Sequence, residues 1–165
     1  MSLALLTLAA VGTLALAATT LLGYVPASGA GWMRQHFLMA LASTFLLVMA
    51  HSFIMFFLIA TGVELKDLEK RNAWGDSFRR RTVALKSRVF PLMTGALLLV
   101  IVNFIVGAAA HTRALPAWAH GFVAWVTLAA CLVALHREYV SLSENNRLIV
   151  EAASRREDTA GAPLL

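Results

Sequence analysis

Four stretches of this chain contain no Asp, Glu, Lys or Arg: residues 1–33, 35–63, 90–112 and 114–136. A helix rising about 1.5 Å per residue needs roughly 20 apolar residues to cross the ~30 Å hydrocarbon core of a bilayer, and each stretch is longer than that. The sequence therefore predicts four membrane spans, at about 3–22, 31–61, 90–110 and 115–137. Within lipid every backbone polar group must be satisfied inside its own segment, so the expected fold class is all-α, an integral-membrane, up-and-down bundle of four transmembrane helices.

Composition agrees. Apolar residues make up 59% of the chain and the mean hydropathy is +0.74, above the ~45–50% apolar content of soluble domains. In 165 residues this leaves room for one transmembrane domain, residues 1–153, and for no separate soluble domain. Chemistry that needs a large aqueous cleft is then expected in a partner, and no catalytic residue is assigned. The formal charge of +5 and the pI near 10.1 would suggest nucleic acid in a soluble protein. Here topology explains the basic residues, and no nucleic-acid partner is expected. The single Cys131 falls in the fourth span, so no internal disulfide can form.

Twelve of the fourteen Lys and Arg residues lie either between the second and third spans or after the fourth; only Arg34 and Arg113 lie on the opposite side. By the positive-inside rule the central loop, residues 64–88, and both termini face the cytoplasm, and the expected location is a cytoplasmic membrane of bacterial type. A cleaved signal peptide competes for the first span, because Ala27 and Ala30 follow its apolar run. That run is too long for a usual h-region, no basic n-region precedes it, and a retained span is preferred.

The first span ends at Gly23, with Pro26, Ser28 and Gly29 expected in an external turn. The second is long enough to tilt or to project into the cytoplasm. In the basic loop, Asp76 can cap a helix on which Phe78, Thr82 and Leu85 share one face, while Arg79, Arg80, Arg81, Lys86 and Arg88 cover the rest. Two readings fit this loop: a segment lying on lipid headgroups with Trp74 as interfacial anchor, or a helical hairpin docked on a partner subunit. Pro91 is expected in the first turn of the third span. The short link at residues 113–116 makes the third and fourth spans antiparallel neighbours. Trp118 and Trp125 open the fourth, which can extend as a helix over 138–153, with Ser141 and Glu144 as a capping box if the helix breaks and restarts. Residues 154–165, including Gly161-Ala162-Pro163, are expected to be disordered. There is no evident repeat and no nucleotide, phosphate or protease motif.

Small residues mark helix contacts in lipid: Ala9, Thr13 and Ala17 in the first span, and Gly95 and residues 107–110 in the third. Asn103 is expected to point inward as a packing device.

The histidines are the informative polar residues. An imidazole in lipid is costly unless it is hydrogen-bonded or ligates something. His36 and His51 lie in the second span, His120 and His136 in the fourth, and His111 at the outer end of the third. His51 is about 60° round from His36 and ~22 Å deeper, along a face where Ala40 and Ser43 leave room for a flat cofactor. Because the second and fourth spans run in the same direction, His36 and His120 fall at one depth near the outer surface, where two helices can offer axial ligands to one haem iron; His111 is a substitute ligand. His51 and His136 are the analogous inner pair, but His136, beside Arg137 and Glu138 at the cytoplasmic boundary, fits a solvated or headgroup-contacting histidine better, and a hydrogen bond to a neighbouring carbonyl or to Asn103 would satisfy His51 without a cofactor.

In this spacing the chain resembles the diheme b-type membrane cytochromes, in which two parallel helices each supply two His ligands about four turns apart and neighbouring helices contribute glycines. The resemblance covers the second and fourth spans and implies haem b, with quinone as a possible redox partner. Two features depart from it. Sixteen residues turn His136 about 160° away from His120, and Gly12, Gly23, Gly95 and Gly107 are unevenly placed. A magnesium tetrapyrrole could use a single axial His in the same way.

Three functions are compatible with these features. The chain can be a subunit that anchors or stabilises a larger, energy-converting membrane complex, docking other membrane subunits through its basic loop and C-terminal helix. It can be a b-type haem electron-transfer subunit. The third reading, a small transporter or channel, lacks a buried carboxylate or Arg within the expected spans.

Overall fold

The computed structural model describes residues 1–25 and 30–161. It consists of four helices, α1 (Ser2–Leu22), α2 (Ala30–Asn72), α3 (Ser77–His111) and α4 (Ala117–Gly161). All four are long and apolar enough to cross a membrane. Within the four helices the charge-free stretches carry few polar side chains, and Pro91 of α3 is the proline inside a helix.

The helices alternate in direction. At one end Ser2 of α1 is hydrogen-bonded to Asn146 of α4, and at the other Tyr24, just past α1, is bonded to Trp125. Each helix packs on its two neighbours, and α2 and α4 also meet across the diagonal of the bundle. These two run parallel in a steady register: Thr61 meets Asn145 and His36 meets His120 at the same separation of 84 residues, and His51 meets Glu138 at 87.

Three apolar clusters stack along the axis. Leu16, Leu47, Val100, Leu128 and Cys131 lie nearer the short-loop end, Ala9, Ile54, Leu58, Val89, Met93 and Leu142 in the middle, and Leu65, Phe78, Leu148 and Ala152 at the far end. Gly12 of α1 faces Leu47 so closely that an added Cβ would stand 3.1 Å from it, as expected for helices held together by close backbone approach. The outward surface is apolar as well, with Leu14, Phe45, Phe56, Leu98, Ile105, Phe122 and Leu132 exposed. Ser43, His51, Asn103, Thr127 and Glu138 are buried. Large apolar side chains thus cover the outside of helices that are long and apolar enough to cross a membrane, while a few polar groups lie among the apolar clusters inside.

Several expectations are corrected. Residues 64–88 do not form a segment apart from the spans: α2 runs on to Asn72, and α3 begins at Ser77 and continues through Pro91 into its apolar stretch. Only residues 73–76 form the turn, where Ala73 (φ 53°) and Gly75 (φ 86°) adopt left-handed backbone. Pro91 therefore sits inside a helix rather than in its first turn. The fourth helix neither breaks at Ser141 nor stops at 153, but remains helical to Gly161. Because α1 begins at the level of Asn146, the outer parts of α2, α3 and α4 project beyond it as a three-helix stalk. The expected turn at Pro26, Ser28 and Gly29, and residues 162–165, lie outside the described residues.

The stalk is organised by Glu69. Its buried carboxylate accepts hydrogen bonds from the backbone N–H groups of Phe78 (2.6 Å) and Arg79 (2.9 Å), capping α3 from the preceding helix. Asp76 occupies the cap position but makes no side-chain cap bond, and pairs with Arg80 at 3.3 Å instead. The residues expected to dock on lipid or a partner divide accordingly. Trp74 packs on Phe78 with Arg155 stacked over its ring at 5.1 Å, and Arg81 pairs with Glu151 at 2.7 Å, so both serve the stalk itself. Arg79, Arg80 and Arg88 are exposed, and Lys86 is half-buried beside Gly62.

Candidate functional site

The sequence-predicted outer pair comes together. His36 of α2 and His120 of α4 face each other across the diagonal with ring centroids 6.4 Å apart and planes at 81°. Two glycines make this possible. A Cβ at Gly107 of α3 would stand 2.9 Å from Cε1 of His120, and one at Gly23, after α1, would stand 3.4 Å from Cε1 of His36. The Nδ1 atoms of both rings are buried and have no protein hydrogen-bond partner. Below them on α2 the small side chains of Ala40 and Ser43 continue the face, the Ser43 hydroxyl donating to the Ala40 carbonyl at 3.0 Å. Above them Tyr24 lies against Gly121 and accepts a hydrogen bond from the Trp125 indole at 3.0 Å, fixing the loop end of α1 against α4.

The centroid spacing is the one that a metal held between two imidazoles would need. A metal–nitrogen bond of about 2.0–2.1 Å on each side, plus roughly 1 Å from ring nitrogen to ring centre, puts opposite imidazoles about 6 Å apart. His36 and His120 sit at that spacing. Among the described residues no group of three or more His, Cys, Asp or Glu could form a protein-only metal site. His111 is exposed on the outer end of α3.

The inner histidines do not pair. His136 is exposed, and the group that meets the fully buried His51 is Glu138: its carboxylate is hydrogen-bonded to His51 Nδ1, both side chains being 0% exposed. The cause is helical phase. Sixteen residues carry His136 to the opposite face from His120, whereas eighteen residues are about five full turns and return Glu138 to the His120 face. That face carries His120, Thr127, Cys131, Glu138, Ser141 and Asn145 in order, all of them turned inward. Two residues beyond the charge-free stretch, Glu138 is thus the buried carboxylate that a reading of spans by charge leaves out, and the eighteen-residue interval is the signal that finds it.

Polar contacts continue in both directions. Toward the stalk the Thr61 hydroxyl bonds to Asn145 at 2.9 Å. Toward the loops Thr127 hydrogen-bonds the Leu99 carbonyl of α3 at 3.3 Å, and Asn103 points inward with its carbonyl oxygen lacking a protein partner.

The chain matches no family model, no curated protein and no solved structure. The function is therefore argued from these residues alone.

Proposed function

We propose that this chain is a small integral-membrane electron-transfer subunit that holds one b-type haem between His36 and His120, near the membrane face opposite the stalk. The observation that carries the reading is the convergence of two imidazoles from parallel helices at 6.4 Å, with glycines where they pass α3 and the end of α1. The bound haem supplies one-electron chemistry. The chain supplies two half-buried imidazole ligands and helices that fix the two rings at one depth. The apolar outer surface favours a bilayer setting, and the exposed Arg79, Arg80 and Arg88 favour a cytoplasmic stalk. A second haem at His51 is not proposed, because Glu138 occupies the nitrogen facing α4.

A second reading is favoured by the stalk: a subunit without cofactor that anchors partner subunits of a larger, energy-converting complex through α2, α3 and α4 beyond the membrane. The two separate in one experiment. The purified full chain, supplied with haem during expression, gives a reduced-minus-oxidised visible spectrum with b-type bands; His36→Ala and His120→Ala each abolish them, while His111→Ala and His136→Ala leave them intact. A flat spectrum, or bands that survive loss of His36, defeats the haem reading and leaves the anchor.

A further inference from the structure

We propose that His51 and Glu138 form a proton-exchange site in the middle of the bundle, reached from the stalk end along a water-bridged line of buried polar groups that passes Ser141, Asn145 and Thr61. The site stands apart from the proposed haem position, about 22 Å away along α2, and does not depend on a haem being bound.

Three observations carry it. The pair is wholly buried, yet it is half satisfied: His51 Nε2 and Glu138 Oε2 have no protein partner. A pair kept only for stability is expected to be closed, with every polar atom bonded, since an unmatched atom on a buried ionisable group is what makes such pairs destabilising. Two turns further along the same face of α4, one amide atom of Asn145 is likewise buried without a partner while the other bonds Thr61. Seven residues separate the orphan atoms of Glu138 and Asn145, about 10 Å along the axis, a gap that the buried Ser141 and one or two waters can bridge. Finally, Thr61 and Asn145 lie where α1 gives way to the stalk, one residue from the exposed Asn146–Ser2 contact, so the line runs toward the stalk end of the bundle.

The charge balance makes the pair suited to exchange. With one shared proton it is neutral whether His51 or Glu138 carries it; a proton gained or lost leaves one net charge among apolar neighbours, so exchange requires a route to water. Among the described residues of α1 and α3, no buried ionisable group is present to compensate. The buried residues of α1 are Ala9, Gly12, Thr13, Leu16, Thr19 and Thr20, those of α3 are apolar apart from Thr82 and Asn103, and on α4 the neighbouring titratable group is Cys131, two turns toward the loops. Lys86 and Arg88 of α3 and His136 and Arg137 of α4 are turned outward or half-exposed.

The test uses the full chain, labelled with 15N-histidine and reconstituted in lipid bilayers, and reads the ring nitrogens by solid-state NMR; the His51 signals are those lost in His51→Gln. They are expected to take up magnetisation from water and to change position in Glu138→Gln, which removes the shared proton's second site. Asn145→Leu is expected to cut the water transfer to His51 at least about fivefold while leaving that to the exposed His136 unchanged. If Asn145→Leu does not fold, Thr61→Val interrupts the same line. Ring signals that take up no magnetisation from water overturn the proposal, as does undiminished water transfer in the folded variant.

Discussion

His51 on α2 and Glu138 on α4 are hydrogen-bonded to each other with neither side chain reaching the surface. A pair of this kind is unforgiving of half-measures. Removing one partner leaves the other buried without its counter-charge, at a cost of about 3–5 kcal/mol, whereas apolar groups replacing both remove the desolvation penalty together with the attraction. His51→Leu and Glu138→Leu are each expected to destabilise the bundle by that amount, and the double variant by clearly less than their sum. Unfolding of the four proteins in mixed micelles gives the cycle; strict additivity would show that the two side chains do not depend on each other.

The cap on α3 gives a second, separate expectation. Glu69 neutralises two free N–H groups at the helix start from nine and ten residues away, while Asp76 at the cap position bonds neither. Glu69→Ala is expected to cost about 1–2 kcal/mol, and Asp76→Ala, which loses only an exposed pair with Arg80, no more than about 0.5 kcal/mol. Thermal unfolding of the reconstituted chain orders the two, and a larger loss for Asp76→Ala would mean that the helix is capped conventionally.

Phe78 is the anchor of the stalk, fully buried among Leu65, Leu148 and Trp74. Phe78→Ala is expected to cost about 3–5 kcal/mol, and because the cluster it belongs to is separate from the two within the bundle, the loss should be local. Hydrogen exchange is expected to rise in residues 62–85 and 145–158 while the apolar middle of α2 stays protected. Faster exchange spread evenly through all four helices would show that stalk and bundle unfold as one unit.

The architecture could be read from the chain because its cause is one-dimensional: an uncharged run of sufficient length has a single solution in lipid, and the breaks at Gly23 and Arg113 coincide with helix ends. What charge does not mark is where a helix stops in water. Residues 64–88 alternate charged and apolar positions as a solvated helix does, so continuation through Pro91 depends on the packing of Leu65 and Phe78 against Leu148 and on the Glu69 cap, both of them contacts between residues distant in sequence. The same limit affected the site. His36 and His120 were legible because depth and direction follow from the spans, but the partner of His51 depends on helical phase, and counting eighteen rather than sixteen residues from His120 replaces His136 with Glu138. Gly107 was visible as a small residue, though not as the floor beneath an imidazole.

That floor yields the most selective expectation. At Gly107 a Cβ would lie 2.9 Å from His120 Cε1, 3.3 Å from Nε2 and 3.4 Å from Nδ1, so Gly107→Ala must push the ring aside. What moves is the far end of a side chain, and the added methyl also favours the helix by up to about 1 kcal/mol, so stability should change by less than that in either direction. Gly95, on the same helix, has nothing within 4 Å of an added Cβ and serves as the control. If His36 and His120 hold a haem, Gly107→Ala is expected to shift or abolish its reduced bands while Gly95→Ala leaves them untouched, and unfolding midpoints of the two variants should be alike. Loss of bands in both, or a collapse in stability in Gly107→Ala alone, would show that the glycine is needed for helix packing and not for the placing of His120.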